Sequence, residues 1–465
     1  MAAEYAIESN HVKARDSWFI QGAWGLHEWA CQPYFALVTI FLFAPYFTTH
    51  VVGDPVQGQA VWGYAQAIAG LIVAVSAPFL GAMADAAGAR KPWIIFSGVL
   101  AAAGCLILWT AVPGVSVLLI VVALILASAG IESLFVFANA MLPAIASARR
   151  IGLVSGLAIA AGQLAGVVAL LLVLVAFALP GSVDSPFVPE TPLFGLDAST
   201  YETDRIVGPV AAIWLLIFLL PLLLFVPDER RSRLRASEIV WRGAGQLIRT
   251  VREVRRIGNV ALYLAARLVF YSGMNAGILF VGVLAAGLFS WGLVELTIYG
   301  LLASVFAALG ALAGGIADKR LGSRRTLIYA LMLAAIAFCL ILSFSADRVL
   351  FFIEVPTAGH GPAFYSLPEQ GFLTCVALFS LTVGAVIAES RTMMARLAPM
   401  ENMAEFFGLH ALIRQGTTFI APLLVGLLTA WSGSQRIGLA VAIPLMIAGA
   451  IMLLAVREER ARASV

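Results

Sequence analysis

The fold is decided by two short polar strings, Gly81-Ala-Met-Ala-Asp85-Ala-Ala-Gly88-Ala-Arg90-Lys91 and Gly314-Gly-Ile-Ala-Asp318-Lys319-Arg320-Leu-Gly322-Ser-Arg324-Arg325. Each string follows a long apolar run, and in each a Gly stands four residues before the Asp while a Gly and a basic pair follow it. The two Asp residues lie 233 positions apart, which is half of the 465-residue chain. An apolar chain that is duplicated in this way, with the same charged string in each half, is typical of a membrane transporter.

The composition indicates a chain that lies mostly in lipid. It is 61% hydrophobic and 12% charged, whereas soluble domains are about 45–50% apolar and about 25% charged. The apolar runs are continuous and do not alternate, which favours helices over a strand barrel. At roughly 20 residues per crossing, the chain can supply about a dozen helices. We therefore expect an all-α integral membrane protein with twelve transmembrane helices in two six-helix bundles.

The apolar runs also predict where the helices and the domains lie. In the first half the spans are predicted near 21–47, 60–80, 93–112, 115–138, 151–178 and 208–227. In the second half they are predicted near 259–287, 291–316, 326–345, 371–392, 403–431 and 437–456. We expect an N-terminal bundle at 1–227, a cytoplasmic arginine-rich linker at 228–258 and a C-terminal bundle at 259–465.

The distribution of charge predicts the orientation in the membrane. The insert Asp228–Arg256 carries nine arginines and four acids, while the segment Gly181–Asp204 carries five acids and no Lys or Arg. By the positive-inside rule the insert is cytoplasmic and the acidic segment is outside. We expect both termini in the cytoplasm and both strings on the cytoplasmic face of the cell inner (plasma) membrane. A basic segment facing anionic lipid accounts for the arginines, so we do not expect binding to nucleic acid.

The duplicated string resembles the loop signature of the major facilitator superfamily. Three further stretches, His27–Tyr34, Asn139–Gly156 and Glu405–Leu409, resemble the family related to the autophagy vacuolar amino-acid effluxers. The resemblance implies the major facilitator fold and a cytoplasmic gate that stabilises the outward-open state. The gate residues it implies are Gly81, Asp85, Arg90, Lys91, Gly314, Asp318, Arg324 and Arg325.

The chain departs from the family pattern at three places. Ala86 stands where a basic residue usually follows the Asp, and Ser272 stands where an acid is usual in the seventh helix. In the first helix the chain has His27, Glu28 and Cys31 where the family usually carries Tyr-Asp-Trp and then Asn. The Ser272 position removes one carboxylate that the resemblance would place at the substrate cavity.

Polar side chains near the middle of the spans are the candidate substrate or proton-coupling residues, because ionisable groups in lipid are costly. The alternative to a substrate-binding role for the charged candidates is a structural ion pair. For the amides the alternative is a hydrogen bond that holds two helices together. Charged residues nearer the cytoplasmic end, such as Arg267 and Glu389, are assigned to structure or gating. The candidates near the middle are Glu132, Gln163, Asn275 and Arg414. Glu28 lies in the cytoplasmic third and is added because it stands at the acidic position that the family resemblance implies.

We expect a transporter of a small polar or amphipathic solute, with amino-acid efflux favoured, active as a monomer and with protons as a candidate coupling ion. One alternative is proton-coupled export of hydrophobic drugs, and another is a membrane sensor or scaffold that has lost transport. The sequence contains no phosphate-binding Gly-Lys-Ser/Thr loop and no metal-ligand spacing, so we expect no enzyme activity, no cofactor and no metal.

Overall fold

The computed structural model describes residues 17–87, 89–147, 150–181, 183, 185–228, 258–355, 363–397 and 403–457. Within these ranges, the side chains of residues 77–87, 143, 152, 395 and 403–415 are not described. The described chain is almost entirely helical, with one small hairpin. The long helices are α1 (Trp18–Val51), α2 (Pro55–Ala87), α3 (Lys91–Ile107), α4 (Val117–Ile145), α5 (Ile151–Val173), α6 (Val207–Phe225), α7 (Gly258–Phe289), α8 (Leu293–Leu321), α9 (Ser323–Leu342), α10 (Leu367–Leu397), α11 (Met403–Ser432) and α12 (Gln435–Ala455).

Among the described residues, eleven helices are long and apolar enough to cross a bilayer, and Gly416–Ser432 of α11 is a shorter apolar helix. Each long helix overlaps one predicted span. Several helices run past the predicted ends, as α2 does at both ends and α10 does at Leu397. The reason is that a helix satisfies its backbone hydrogen bonds beyond the lipid as well as within it, so apolar composition marks the lipid edge and not the helix end.

The first helix is irregular. It is α-helical over Trp18–Pro33, has π-type hydrogen bonding over Tyr34–Phe41, returns to α over Phe43–Tyr46 and is again π-type over Phe47–Val51. Pro33 lies inside this helix and lacks the amide hydrogen that a regular ladder needs. The hairpin lies between α9 and α10 and pairs β1 (Arg348–Val349) with β2 (Ile353–Glu354) in antiparallel register.

The chain divides into two compact units, and the division passes through α1 and α2. Unit 1 contains the residues up to Thr39 together with Ile72–Leu247, and unit 2 contains Ile40–Leu71 together with Ile248–Val465. Unit 1 thus holds the first part of α1, the end of α2 and all of α3 to α6. Unit 2 holds the rest of α1 and α2 with α7 to α12.

Small residues set the helix spacing in unit 1. A Cβ on Gly104 of α3 would lie 2.6 Å from the carbonyl oxygen of Ala123 on α4, and one on Gly130 of α4 would lie 2.6 Å from the amide nitrogen of Ala101. A third Cβ, on Gly208 of α6, would lie 2.5 Å from the Cys105 carbonyl oxygen. Spanning helices associate through such close backbone packing, because lipid provides no hydrophobic drive to bring them together.

Close packing at glycines also occurs in unit 2, where the tightest contacts are between α8 and α10. A Cβ on Gly310 would overlap the carbonyl oxygen of Leu381, and one on Gly384 would overlap the carbonyl oxygen of Ala307. Each helix therefore contributes a glycine at the point where the partner backbone touches it. Substitution at either position must push the two helices apart.

The start of α2 packs against α11 and α12 in unit 2. The Gln59 amide donates to Thr429 Oγ1 at 2.7 Å and to the Gln435 carbonyl oxygen at 3.0 Å. The Gln435 amide donates in turn to the Pro55 carbonyl oxygen at 3.0 Å. We call Pro55, Gln59, Thr429 and Gln435 the glutamine clasp. Gln59 and Thr429 are fully buried, so the clasp fixes this end of α2 without help from water.

Candidate functional site

The two acids predicted in the N-terminal half lie near one thiol in unit 1. Glu28 lies on α1, three residues before Cys31, and Glu132 lies on α4. Both carboxylates act electrostatically on the Cys31 thiol, which is completely buried. Glu132 is 7% exposed, and Glu28 is half-buried. Acids enclosed in a membrane bundle are suited to receive a protonated amine or a proton.

Hydrogen bonds between α1 and α4 hold these acids in position. The hydroxyls of Tyr34 and Ser128 are 2.6 Å apart and hydrogen-bonded, and Ser128 lies one turn before Glu132. Further along the two helices, the Trp24 indole donates to the Ala138 carbonyl oxygen at 2.7 Å. Both contacts are buried, so the separation of α1 from α4 is fixed on either side of Glu132.

The fifth helix packs on the face of α1 that carries Glu28. A Cβ on Gly162 would lie 3.2 Å from Glu28 Cβ, and a Cβ on Gly166 would lie 3.4 Å from Gln32 Cγ. Gln163 follows Gly162 directly, and its side chain is exposed. The structure therefore brings Gln163 onto the helix that contacts Glu28, with its amide open to a ligand.

The exposed surface of α5 has two distinct sides. Leucines recur on one side, and smaller or polar residues are centred about 70° around the helix from them. A leucine stripe suits contact with lipid, whereas an amide in a spanning helix is placed away from lipid. The first set is Leu153, Leu157, Leu164 and Leu171, and the second is Gly156, Ala160 and Gln163.

In unit 2, Asn275 of α7 is tied to α11. Its amide donates to the Thr417 carbonyl oxygen at 3.4 Å. Ser272, one turn earlier, donates to the Leu268 carbonyl oxygen of its own helix at 2.7 Å and offers no charge. Arg414 lies on α11 one turn before Thr417, and its side chain is outside the described part of the chain.

Two further buried charges of unit 2 lie close to one phenol. Arg267 of α7 is 3% exposed and Glu389 of α10 is 1% exposed. Both act electrostatically on Tyr263, whose hydroxyl donates to the Ser390 carbonyl oxygen. The sequence assigned Arg267 and Glu389 to structure or gating, but they are at least as well enclosed as Glu132. Their position inside apolar runs could have indicated a functional role from the sequence. Their burial makes them candidate functional residues.

The second string forms a compact junction at the end of α8. The helix continues through Asp318 to Leu321, so most of the string is helical and only Gly322 forms the turn before Ser323 starts α9. Gly322 has φ +82°, a conformation that side chains with a Cβ rarely adopt. The turn of a single residue brings the start of α9 back onto Asp318.

Both oxygens of the Asp318 carboxylate are engaged. The Ser323 hydroxyl donates to Oδ1 at 2.8 Å, and Arg396 of α10 donates to Oδ2 at 2.6 Å. A Cβ on Gly314 would lie 3.0 Å from Ala385 Cα, so α8 and α10 also touch one turn before the ion pair. Asp318 therefore joins the ends of three helices of unit 2.

The two arginines of the basic pair in the second string have different surroundings from each other. Arg324 donates to the carbonyl oxygen of Val456, at the end of α12, at 2.9 Å. Arg325 is exposed.

At the first string, an acid from beyond α6, Asp228, meets the start of the following helix. Asp228 lies just after α6, and its carboxylate accepts hydrogen bonds from the amides of Arg90 at 2.8 Å and Lys91 at 3.0 Å. A carboxylate at a helix start satisfies free amides and complements the helix dipole. Gly81 lies within α2, and the Asp85 side chain is outside the described part of the chain. The sequence analysis did not identify Asp228 as a functional acid. Asp228 is the first residue of the arginine-rich insert, which was interpreted through its positive charge.

Comparison with protein families identifies the class of protein. The family described as "Vacuole effluxer Atg22 like" matches residues 47–465. The chain belongs to this family. The match begins inside α1, so it covers both strings and the stretches read from α4, α5 and α11. The stretch His27–Tyr34 lies before it.

Relatives of this Atg22-like protein agree with that assignment. The MFS-type transporter YxiO of Bacillus subtilis (strain 168) is 22% identical over 442 residues, covering 94% of this chain and 95% of YxiO. Autophagy-related protein 22 of Cryptococcus neoformans is 23% identical over 281 residues, which is 58% of this chain and 49% of that protein. The Atg22-like chain is thus a transporter of the major facilitator type, as the sequence predicted.

Solved structures confirm the fold of the Atg22-like chain. A D-xylose–proton symporter superposes with a TM-score of 0.62 at 14% identity, covering 95% of this chain and 97% of the symporter. A point mutant of the nucleoside transporter NupG superposes with a TM-score of 0.60 at 12% identity, covering 94% of this chain and 98% of the transporter. At this identity the likeness establishes the fold alone, and the predicted all-α membrane fold of the major facilitator type is confirmed.

Proposed function

We propose that this Atg22-like transporter moves a small solute carrying an amine or a carboxylate, with amino-acid efflux favoured, by alternating access. The observation that carries the proposal is the enclosed acid Glu132, which is 7% exposed on α4 and lies one turn from the Tyr34–Ser128 hydrogen bond to α1. Glu28 lies on the face of α1 against which α5 packs. The family description names effluxers, which supports the direction. An enclosed acid is expensive to keep in a membrane bundle and is expected to serve a ligand or a proton.

Each predicted site residue has a role in this proposal. Glu132 meets the amine of the solute or carries a coupling proton, and Glu28 assists it. Arg414 meets the carboxylate, while Gln163 and Asn275 donate hydrogen bonds to the solute. The two strings act as the cytoplasmic gate, through Gly81, Asp85, Arg90 and Lys91 in the first half and Gly314, Asp318, Arg324 and Arg325 in the second.

We further propose a plasma-membrane protein with both termini in the cytoplasm, working as a monomer without enzymatic activity. An even number of spans returns the chain to the side on which it starts, and the arginines of the insert favour the cytoplasm for that side. The two six-helix bundles would be residues 1–227 and 259–465, joined by the linker 228–258.

The proposal is tested by efflux from liposomes that contain the purified protein. Vesicles are loaded with a mixture of isotope-labelled amino acids, with and without a pH gradient, and the released compounds are identified by mass spectrometry. We expect one chemical class to leave faster than from empty vesicles. Glu132→Gln should slow this release by at least about 10-fold, because a charge-assisted hydrogen bond contributes about 1.5–3 kcal/mol.

Glu190→Gln is the matched control, since it makes the same change at an exposed acid of the segment between α5 and α6. Glu190→Gln should transport at the wild-type rate, and both variants should melt at the wild-type temperature. Wild-type transport by Glu132→Gln at every pH would refute the assigned role of Glu132. Release of a lipophilic cation such as ethidium, without release of amino acids, would instead select drug export. Movement of no solute, with a protein co-purifying, would select the sensor or scaffold.

A further inference from the structure

A cavity lined by cations lies where α8, α9 and α10 of unit 2 come together. Its volume is about 410 Å³. One acid, Asp318, shares the lining with five basic residues, so the charged side chains around the cavity sum to +4. The five are Lys319, Arg320, Arg324, Arg325 and Arg396.

The single acid cannot neutralise this charge. Its two oxygens are already taken by Ser323 and Arg396. Within the described part of the chain, Lys319, Arg320 and Arg325 form no ion pair, and all three are exposed. Cations gathered at this density repel one another and attract an anion.

The face of α8 that leads to the cavity is apolar and exposed. Leu312 is 67% exposed and Ile316 is 62% exposed. Lys319 and Arg320 follow Ile316 by three and four residues, which places them one turn further along the same face. An exposed apolar stripe on a spanning helix lies against acyl chains, so these cations stand at the level where lipid headgroups begin.

The ninth helix repeats this pattern in the opposite chain direction. Arg325 is followed on its face by Tyr329, which is 59% exposed, and then by Ile336, which is 55% exposed. Tyrosine favours the border between hydrocarbon and headgroups. Two neighbouring helices therefore each present an acyl-facing stripe that ends in cations lining the same cavity.

In sequence, the first string lacks two of these cations. It carries Ala86 and Ala87 where the second string carries Lys319 and Arg320. Its helix start is occupied by the chain's own carboxylate, Asp228. This difference in sequence favours the second string as the anion site.

We propose that this cavity binds the phosphate headgroup of an anionic phospholipid, whose acyl chains lie along the exposed faces of α8 and α9. Lys319, Arg320 and Arg325 are the cations that contact the phosphate. The exposed apolar residues above the cavity favour a lipid over a free phosphate, because a free anion gains nothing from them. This site is separate from the candidate substrate residues, and it shares Asp318, Arg324 and Arg325 with the proposed cytoplasmic gate. Lipid binding is measured without transport, so its outcome is distinguishable from that of the proposed function.

The test is lipid titration of the delipidated protein in detergent, read by native mass spectrometry and by thermal unfolding. The probes are dioleoyl-phosphatidylglycerol, dioleoyl-phosphatidylcholine, glycerol 3-phosphate and inorganic phosphate. We expect saturable retention of phosphatidylglycerol with a rise in melting temperature, and weak retention of phosphatidylcholine. The variant Lys319→Gln/Arg320→Gln/Arg325→Gln should bind phosphatidylglycerol on the order of 100-fold more weakly, since each cation near an anionic surface contributes about 1 kcal/mol.

Arg348→Gln is the matched control, because it removes an exposed arginine from the hairpin between α9 and α10, outside the cavity lining. It should bind phosphatidylglycerol as the wild type does. The three substituted residues are exposed, so the triple variant should keep the wild-type melting temperature without lipid. Equal retention of both lipids, or unchanged binding by the triple variant, would overturn the proposal. Protection by glycerol 3-phosphate or inorganic phosphate equal to that of phosphatidylglycerol would identify a free-anion site and would also overturn it.

Discussion

Arg396 of α10 donates a hydrogen bond of 2.6 Å to the Asp318 carboxylate at the end of α8. The Asp318 side chain is 11% exposed and that of Arg396 is 38% exposed, so water screens the pair from one side only. The pair closes the junction at which the second string, α9 and α10 meet. Its strength therefore decides how firmly the ends of these helices hold together.

We predict a coupling free energy of about 1 kcal/mol between Asp318 and Arg396, the upper end for a partly exposed pair. It is measured by thermal unfolding of Asp318→Asn, Arg396→Gln and the double variant. A second cycle that pairs Asp318→Asn with Lys319→Gln should give a value near zero, since Lys319 forms no ion pair within the described residues. Equal coupling free energies in the two cycles would show that Asp318 attracts nearby cations without a specific ion pair to Arg396.

Asp228→Ala should destabilise unit 1 by about 1–2 kcal/mol, because the amides of Arg90 and Lys91 lose their shared acceptor. The loss should appear as faster hydrogen exchange over the first turn of α3 and a lower melting temperature. Glu354→Ala removes a carboxylate from the exposed hairpin and should change neither quantity. Unaltered exchange at the start of α3 would contradict the role assigned to Asp228.

Gly310→Ala and Gly384→Ala should each destabilise unit 2 by about 3 kcal/mol, since the new methyl group overlaps a backbone carbonyl oxygen of the partner helix. Gly315→Ala is a control on the same helix as Gly310, because a Cβ at Gly315 meets nothing within 4 Å. It should match or exceed the stability of the wild type, since alanine is the better helix former. The measurement is the melting temperature of each variant in detergent. Equal melting temperatures for Gly310→Ala and Gly315→Ala would contradict the prediction.

Gly162→Val should impair solute transport while the protein stays folded. The added side chain presses on the α1 backbone and on the Cβ of Glu28, which moves that carboxylate away from its place near Cys31. A displacement of about 1 Å at a binding group can cost about 100-fold in rate. Gly22→Val adds the same side chain to α1 at a position with nothing within 4 Å, and it should transport normally.

Gln59→Leu should loosen the glutamine clasp. It leaves the buried Thr429 hydroxyl and the Gln435 carbonyl without their shared donor, which should cost about 1–3 kcal/mol. We expect faster hydrogen exchange over the first turns of α2 and over the Ser432–Gln435 turn. Gln57→Leu changes an exposed glutamine two residues away and should leave the exchange as it is.

The helices were predictable from the sequence because the length of an apolar run fixes a membrane crossing. The connection between the eighth and ninth spans was predictable for a similar reason, since a charged string with a Gly follows a long apolar run, although the helix continues to Leu321. Both are local properties. The helix ends at Ala87 and Leu397 were missed because a helix need not end where its apolar residues do.

Pairing between distant residues could not be predicted. The acid that meets α3 stands 138 residues after Arg90, and nothing near either residue announces the contact. Counting residues along the predicted spans gave Glu132 a depth in the membrane, but it could not give Glu28 and Glu132 a common neighbour, because position along one helix does not say which helix packs against it. The same holds for Arg267 and Glu389, whose enclosure depends on packing between α7 and α10.

The π-type stretches of α1 change how its side chains must be counted. Each residue inserted by such a stretch rotates everything beyond it by about 100° relative to an unbroken α-helix. Tyr34–Phe41 and Phe47–Val51 both introduce such an offset. A helical wheel drawn from Trp18 through Val51 therefore assigns the second half to the wrong side. Engineered cysteine pairs, spin labels and alignments of this helix have to be registered separately before Tyr34 and after Phe41.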